Sequence, residues 1–272
     1  MTAARLQSTA PTIGALLQYW RKTRGMSQLA LATEAEVSPR HVCFLETGRA
    51  KPSREMVMLL AGVLDVPLRE RNELLLAAGF APVYAETSLD APELGAVRTA
   101  LRAILRQQEP FPAVVLNRHW DIVQANAAAP RFFALFLGEP VASAPANVLR
   151  LMFDPKGLRP FVSNWEAVAE ALIQRVRREA VGNVADAATS QLLAEVLSYP
   201  EVPERLRRPS SGAPLLPVIP VCFRKEELSL DFFSTVTTLG TPQDVALQEL
   251  RIECFFPADE RTEARARALA VV

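Results

Sequence analysis

From Thr12 to Gly79 the apolar residues recur at helical spacing, and each run opens on a residue suited to capping. Ile13, Leu16, Leu17 and Trp20 mark a first helix behind Thr12, ended by Gly25 after Arg21, Lys22 and Arg24, cations that suit the negative end of a helix dipole. Ser27 caps a second helix and Ser38 a third, with Pro39 at a first-turn position that needs no amide proton. Gly48 closes the third. Ser53 caps a fourth, whose apolar face is Met56, Leu59, Leu60, Val63 and Leu64, and Pro67 opens a fifth through Leu68, Leu74, Leu75 and Leu76. The pattern predicts a small bundle of five short helices.

Beyond Gly79 the periodicity changes. Residues 82–92 read as a linker. A helix over about 93–108 follows, with Leu94, Val97, Leu101, Ile104 and Leu105 as its stripe and Pro110 and Pro112 as its stop. Ala113–Leu116 is a short strand, 117–120 a turn and 121–126 a returning strand, with Asn126 capping a helix that carries Phe132, Phe133, Phe136 and Leu137. Residues 138–160 are punctuated by Pro140, Pro145, Pro155 and Gly157. Amphipathic helices are predicted over 161–180 and 185–198, then a loop over 200–217. Three strand-like segments close the body, 215–224, 228–239 and 245–256. In the last, Ala246, Leu250, Ile252, Cys254 and Phe256 alternate with Glu249, Arg251 and Glu253, which predicts one dry face and one wet face. Residues 239–244 supply the turn before it. The charged residues after Pro257 are expected to fray.

The second and third helices carry the most information. Ala32, Val37, Val42 and Leu45 are small or apolar where two crossing helices touch, and Arg40, His41 and Phe44 fall on the opposite side of the third helix. That division is the one a helix-turn-helix uses, packing one face of its second helix and sending the other into the DNA major groove.

Composition agrees with a two-part chain. Its 272 residues favour two domains, and half of them are hydrophobic. The 30 basic and 30 acidic residues cancel overall. Residues 1–84 hold ten Lys and Arg against seven Asp and Glu, while the remainder holds twenty against twenty-three, a mildly basic head on an acidic body. Cys43, Cys222 and Cys254 are odd in number and far apart, which predicts neither a disulfide framework nor a zinc site and suits a reducing compartment. No apolar run approaches the roughly 18 residues that span a bilayer, and the first residues lack a secretory core, so a cytoplasmic protein without a membrane partner is expected. The chain holds no nucleophile elbow, phosphate loop or dinucleotide fingerprint, which argues against an enzyme tethered to DNA.

The head resembles the phage-repressor class of helix-turn-helix domains, the Cro/C1 or XRE family. Ser27-Gln28, Ala32, Val37-Ser38, Val42, Leu45-Glu46, Gly48-Arg49 and Lys51-Pro52-Ser53 stand where that family has them. Glu36 departs from it, at a turn where the family often has glycine. A left-handed backbone there costs a glutamate roughly 1 kcal/mol relative to glycine. From about Ile13 to Asp259 the chain is similar to the MmyB-like regulators, which join such a head to a PAS-like ligand-binding domain. The motifs are Pro67-Leu68-Arg69-Glu70-Arg71-Asn72 with Leu75-Leu76-Ala77-Ala78-Gly79, His119-Trp120 with Ala125-Asn126, Asn147-Val148-Leu149-Arg150-Leu151, and the run from Phe233 to Asp244. The resemblance implies a transcription regulator that responds to a small, fatty-acid-like molecule.

These readings give an all-α DNA-binding domain over 1–84, a linker and connecting helix over 85–109, an α+β PAS-like domain with an antiparallel sheet and extra helices over 110–259, and a frayed tail over 260–272. Arg40, His41 and Phe44 are the candidate base readers. Arginine can bond a guanine edge with two donors, and an outward phenyl can meet a thymine methyl or instead tuck under a neighbouring helix. Gln28, Ser38, Arg49, Lys51 and Ser53 are placed to hold phosphates, helped by helix-start N–H groups. Glu46, being anionic, is expected to pair within the head, with Arg49 or Arg54. Phe132, Phe133, Phe136, Phe153, Phe161, Trp165, Phe232, Val236, Leu250 and Ile252 are the candidate lining of an effector cavity, with plain core as the alternative. The basic clusters Arg175, Arg177, Arg178 and Arg205, Arg207, Arg208 read as solvated faces, and His119 as structural. No cofactor is expected beyond a bound apolar effector such as a fatty acid. The chain is read as a dimeric, sequence-specific regulator of a double-stranded DNA operator. The alternative is an antitoxin-like or structural repressor whose body only dimerises or grips a protein partner.

Overall fold

The computed structural model describes residues 11–138, 146–180, 187–208, 218 and 220–270, in two compact units, the first running to Glu86 and taking in Gln243–Val245 as well. The first is the helical bundle, α1 (Ile13–Thr23), α2 (Gln28–Glu34), α3 (Pro39–Glu46), α4 (Arg54–Val63) and α5 (Leu68–Ala77). The hydroxyls of Thr12, Ser27, Ser38 and Ser53 each accept the backbone N–H three residues on, which satisfies an otherwise orphaned donor and fixes where α1 to α4 start. Leu17, Trp20, Leu31, Val42, Leu45 and Leu60 form the centre of its core. At the α1–α3 crossing a Cβ on Gly14 would stand 2.5 Å from the Glu46 carbonyl oxygen, so only glycine permits this approach. Glu36, between α2 and α3, has φ 54°, the left-handed backbone expected of that turn.

In the second unit a 3₁₀ turn (Pro92–Leu94) leads into α6 (Gly95–Gln107). Then come β1 (Ala113–Leu116), β2 (Ile122–Ala125), α7 (Ala128–Leu137), α8 (Val148–Phe153), a 3₁₀ turn (Arg159–Phe161), α9 (Trp165–Ala180), α10 (Ala187–Ser198) and α11 (Glu204–Arg207). β3 (Val221–Lys225), β4 (Leu228–Thr237), α12 (Val245–Glu249), β5 (Arg251–Pro257) and α13 (Glu260–Leu269) complete it. The strands form one antiparallel sheet in the order β2-β1-β5-β4-β3, a PAS-like arrangement. Asn126 ties its first hairpin to α7, accepting from the Ala113 and Ala129 amides and donating to the Phe111 carbonyl.

Both faces of this sheet are covered. On one, Ala113, Val115, Ile252 and Cys254 pack with Leu101 and Leu105 of α6 and with Leu247 and Leu250. On the other, Val114, Leu116, Phe223 and Phe232 join the larger core that α7, α8, α9 and α10 close. The registers Val114↔Glu253 and Val115↔Ile252 show how the two-residue period divides β5 between them.

Several sequence expectations are corrected. The strand expected over 245–256 begins only at Arg251, because Val245–Glu249 turns as α12, where Ala246, Leu247, Gln248 and Glu249 are good helix formers. The tail expected to fray after residue 259 is helix α13 through Leu269. Asp259 caps it, accepting the Thr262 amide at 2.6 Å, and Thr262 and Ala266 are buried. Within the proline-punctuated stretch, Asn147 caps α8 by accepting from the Leu149 and Arg150 amides. The helix expected from residue 161 starts at Trp165. Pro140 and Pro145, residues 185 and 186, residues 209–217 of the expected loop and first strand, and residues 271 and 272 of the expected tail lie outside the described residues.

Candidate functional site

In the head, α3 buries Val42 and Leu45 and turns Arg40 outward. The Arg40 guanidinium lies 5.0 Å from the centre of the Phe44 ring, one helical turn on, and that of Arg49 lies 5.9 Å from it. Phe44 is half-exposed between two cations, outside the head's core cluster, rather than tucked under a neighbour. His41 is half-buried, and its amide serves the Ser38 cap. Arg49, Lys51 and Ser53 are exposed beyond α3.

Gln28 is engaged inside the head. Its Nε2 donates to Glu46 Oε2 at 2.8 Å. Glu46 pairs with Arg21 of α1, at 2.6 Å, and not with Arg49 or Arg54 as expected. Burial alone would raise the Glu46 pKa, but hydrogen bonds from Arg21, Gln28 and Gln18 and the Arg21 charge outweigh it and hold the carboxyl below its ordinary range. Arg21 stands in the last turn of α1, where a cation reads as a partner of the helix dipole, and sequence spacing alone does not show its ion pair across the bundle.

In the body, a cavity of about 270 Å³ opens between the sheet and α7, α8 and α9. Its wall is mainly apolar, with Phe132 and Phe133 of α7, Met152 of α8, Val168 and Leu172 of α9, and Phe223, Val236 and Phe255 of the sheet. Of the expected lining, Phe132, Phe133 and Val236 reach it. Phe136, Phe153, Trp165 and Phe232 are buried in the surrounding core, and Phe161 packs against that core; none of the five lines the cavity. Leu250 and Ile252, also expected in the lining, lie instead on the α6 side of the sheet. The strand period puts Ile252 and Glu253 on opposite faces, so Glu253, one of the charged series, is the residue that meets the cavity.

That charged series is not solvated. Glu253 is only 7% exposed, accepts the Ser234 hydroxyl at 2.7 Å, and lies 3.5 Å from Arg175 of α9. Arg175 also donates to Glu179 at 3.1 Å, and Glu179 pairs in turn with Arg251. Arg251 donates to the Asn117 and Arg118 carbonyls at 3.0 Å each, reaching the β1–β2 turn. Fully buried Trp120, at φ 68°, has the Arg175 and Arg251 guanidiniums 4.5 and 5.0 Å from its ring. Arg175, read from sequence as part of a solvated face, is therefore half-buried in this network, while Arg177 donates to the Leu206 and Arg208 carbonyls. The usable signal was the spacing of Val168, Leu172 and Arg175 on one face of α9. His119 is structural, its carbonyl accepting from Asn147 at 2.7 Å.

Among the described residues no cluster of His, Cys, Asp and Glu converges as a metal site, and no helix is long and apolar enough to cross a membrane. A capped helix-turn-helix joined to a PAS-like body with a mainly apolar cavity defines a two-part transcription regulator. The comparisons place it. Residues 97–269 match the MmyB-like transcription regulator ligand-binding domain and residues 17–71 match the helix-turn-helix model, and the chain belongs to the MmyB-like regulators. No curated protein matches it. A solved RNA-binding light-oxygen-voltage receptor aligns at 12% identity with a TM-score of 0.29, over 97% of this chain and 62% of that one, so the chain spans less than two thirds of that receptor.

Proposed function

We infer that this DNA-binding regulator reads its operator through the edge that begins at Ser38, as a symmetric homodimer, and that a small, fatty-acid-like effector in the body modulates that binding. The observation that carries the reading is the outward Arg40, stacked over half-exposed Phe44, on a helix whose other face is the head's core. Arg40 offers a guanine edge two donors, a contact worth about 1–3 kcal/mol of discrimination. Phe44 offers its ring to a thymine methyl beside it, and His41 flanks both. Ser38, Arg49, Lys51 and Ser53 hold phosphates, with Gln28 fixed in place by Glu46 at the start of α2.

Two reading helices about 34–36 Å apart enter successive major grooves on one side of a duplex, so a two-fold pair of chains suits a palindromic operator. The mainly apolar cavity supports the effector reading. An effector shifts DNA affinity only by the difference in its affinity for the two arrangements of the protein. A DNA partner and three free cysteines suit a reducing cytoplasm.

Selection of operators from a randomised duplex library, followed by light scattering of the complex, tests this. The expected result is a palindromic consensus bound by two chains and a change in affinity on adding dodecanoate. A one-to-one complex on an asymmetric site overturns the dimer, and affinity unmoved at saturating dodecanoate overturns the effector.

A further inference from the structure

The polar groups of the cavity wall form one cluster. Ser234 bonds Glu253, Glu253 faces Arg175, and Arg178 follows Arg175 by one turn of α9. The cavity is therefore amphipathic, with the phenyl rings of α7 and β3 in its apolar part and these four side chains at a polar end.

The cluster has three unmet needs, the first being Arg175 Nη2, which is buried with no hydrogen-bond partner among the described residues. Glu253 Oε1 takes the Ser234 hydroxyl, but among the described residues Oε2 has only Arg175 Nη1 at 3.5 Å, longer than the roughly 2.7–3.2 Å of a good N–H···O bond. A carboxylate carries about four acceptor sites, so this oxygen is open to a donor from the cavity. Arg178 is exposed at the wall and has no carboxylate partner among the described residues. An anion satisfies Arg178 by a charge-assisted bond. The same anion placed against Glu253 is repelled.

We propose that the cavity selects an acyl chain whose head carries a hydroxyl beside its carboxylate, a 3-hydroxyalkanoate, over a plain alkanoate of equal length. The hydroxyl donates to Glu253 Oε2, the carboxylate meets Arg178, and the alkyl chain lies among Phe132, Phe133 and Phe223. Glu253 is then the specificity-determining residue. This rests on the reading of the cavity as an effector site and adds the chemistry of the head group.

The test is a displacement titration of the full chain with 3-hydroxydodecanoate, dodecanoate and dodecanol. The hydroxy acid is expected to bind about tenfold tighter than dodecanoate, the size of one hydrogen bond to a charged acceptor. Glu253→Gln, which removes the charge and keeps the shape, narrows that ratio and tightens dodecanoate. Arg178→Gln, at an exposed position, weakens both acids alike and leaves dodecanol unchanged. Equal affinity of the wild-type protein for the two acids overturns the proposal and leaves an apolar effector site standing. Arg178→Gln without effect on either acid overturns the assigned carboxylate contact. Binding of none of the three probes sinks the effector cavity itself.

Discussion

The guanidinium of Arg21 and the carboxylate of Glu46 meet through two hydrogen bonds, Nε to Oε1 at 2.6 Å and Nη2 to Oε2 at 2.9 Å, with side chains only 10% and 1% exposed. Arg21 Nη1 also donates to the Met26 carbonyl at 2.8 Å, and Gln28 donates to the same carboxylate. One carboxylate at the end of α3 thus gathers α1, the α1–α2 turn and the start of α2. Removing one partner of a buried pair strands the other and costs about 3–5 kcal/mol. Glu46→Ala is expected to lower the head's stability by about 3 kcal/mol, measured by chemical denaturation. A loss under 1 kcal/mol would show the pair to be incidental.

The same pair sets an acid limit. Glu46 titrates below its ordinary value when folded, so the unfolded chain binds its proton first as pH falls. The stabilisation is whole above the unfolded carboxyl value of about 4.3 and is lost as pH drops from there through the folded value. Denaturation midpoints of wild type and Glu46→Gln, compared between pH 7 and pH 2, are expected to converge at the acid end. Parallel curves would contradict this.

Glu36 holds φ 54° with an exposed side chain at the α2–α3 turn. Glycine adopts that conformation without the Cβ penalty, so Glu36→Gly is expected to stabilise the head by about 1 kcal/mol. A destabilising effect would mean that the lost unfolded-state restriction outweighs the relief.

The head was legible because its information is local. Serine and threonine caps, glycine stops and a 3.6-residue stripe each act within a few residues, and the caps at Thr12, Ser27, Ser38 and Ser53 bond as their positions imply. The body's cavity was not legible, because it depends on which layer covers each sheet face. The alternation in β5 was read correctly as a two-residue period, but charge was equated with solvent. In fact Arg251 and Glu253 of β5, and Glu249 just before it in α12, are paired inside the body with Glu179, Arg175 and Arg118, partners 72 to 131 residues away along the chain. Likewise α13 looked like a charged tail because its few inward residues, Thr262 and Ala266, are small.

That placement separates two sets of variants. Ile252 is buried against α6, so Ile252→Ala is expected to destabilise the body by about 2–5 kcal/mol and leave dodecanoate affinity of the folded protein unchanged. Leu172 lines the cavity, so Leu172→Trp fills it and abolishes dodecanoate binding while the body stays folded. Thermal unfolding and probe displacement on both variants check this. Loss of ligand affinity in Ile252→Ala would place the site on the wrong face of the sheet.

Arg40 and Arg49 flank the same phenyl ring and are expected to do different work. Arg40 stands in the first turn of α3, where side chains reach base edges, whereas Arg49 lies past the end of that helix. Arg40→Ala should therefore flatten the base preference at one operator position, costing about 1–3 kcal/mol on the preferred base and far less on the others. Arg49→Ala should weaken all operators alike and reduce the slope of log affinity against log salt by about one, since it gives up one phosphate contact. Binding of the selected operator and its single-base variants, at several salt concentrations, separates the two. A uniform loss for Arg40→Ala with a reduced salt slope would reassign that side chain to the DNA backbone and leave base reading to His41 and Phe44.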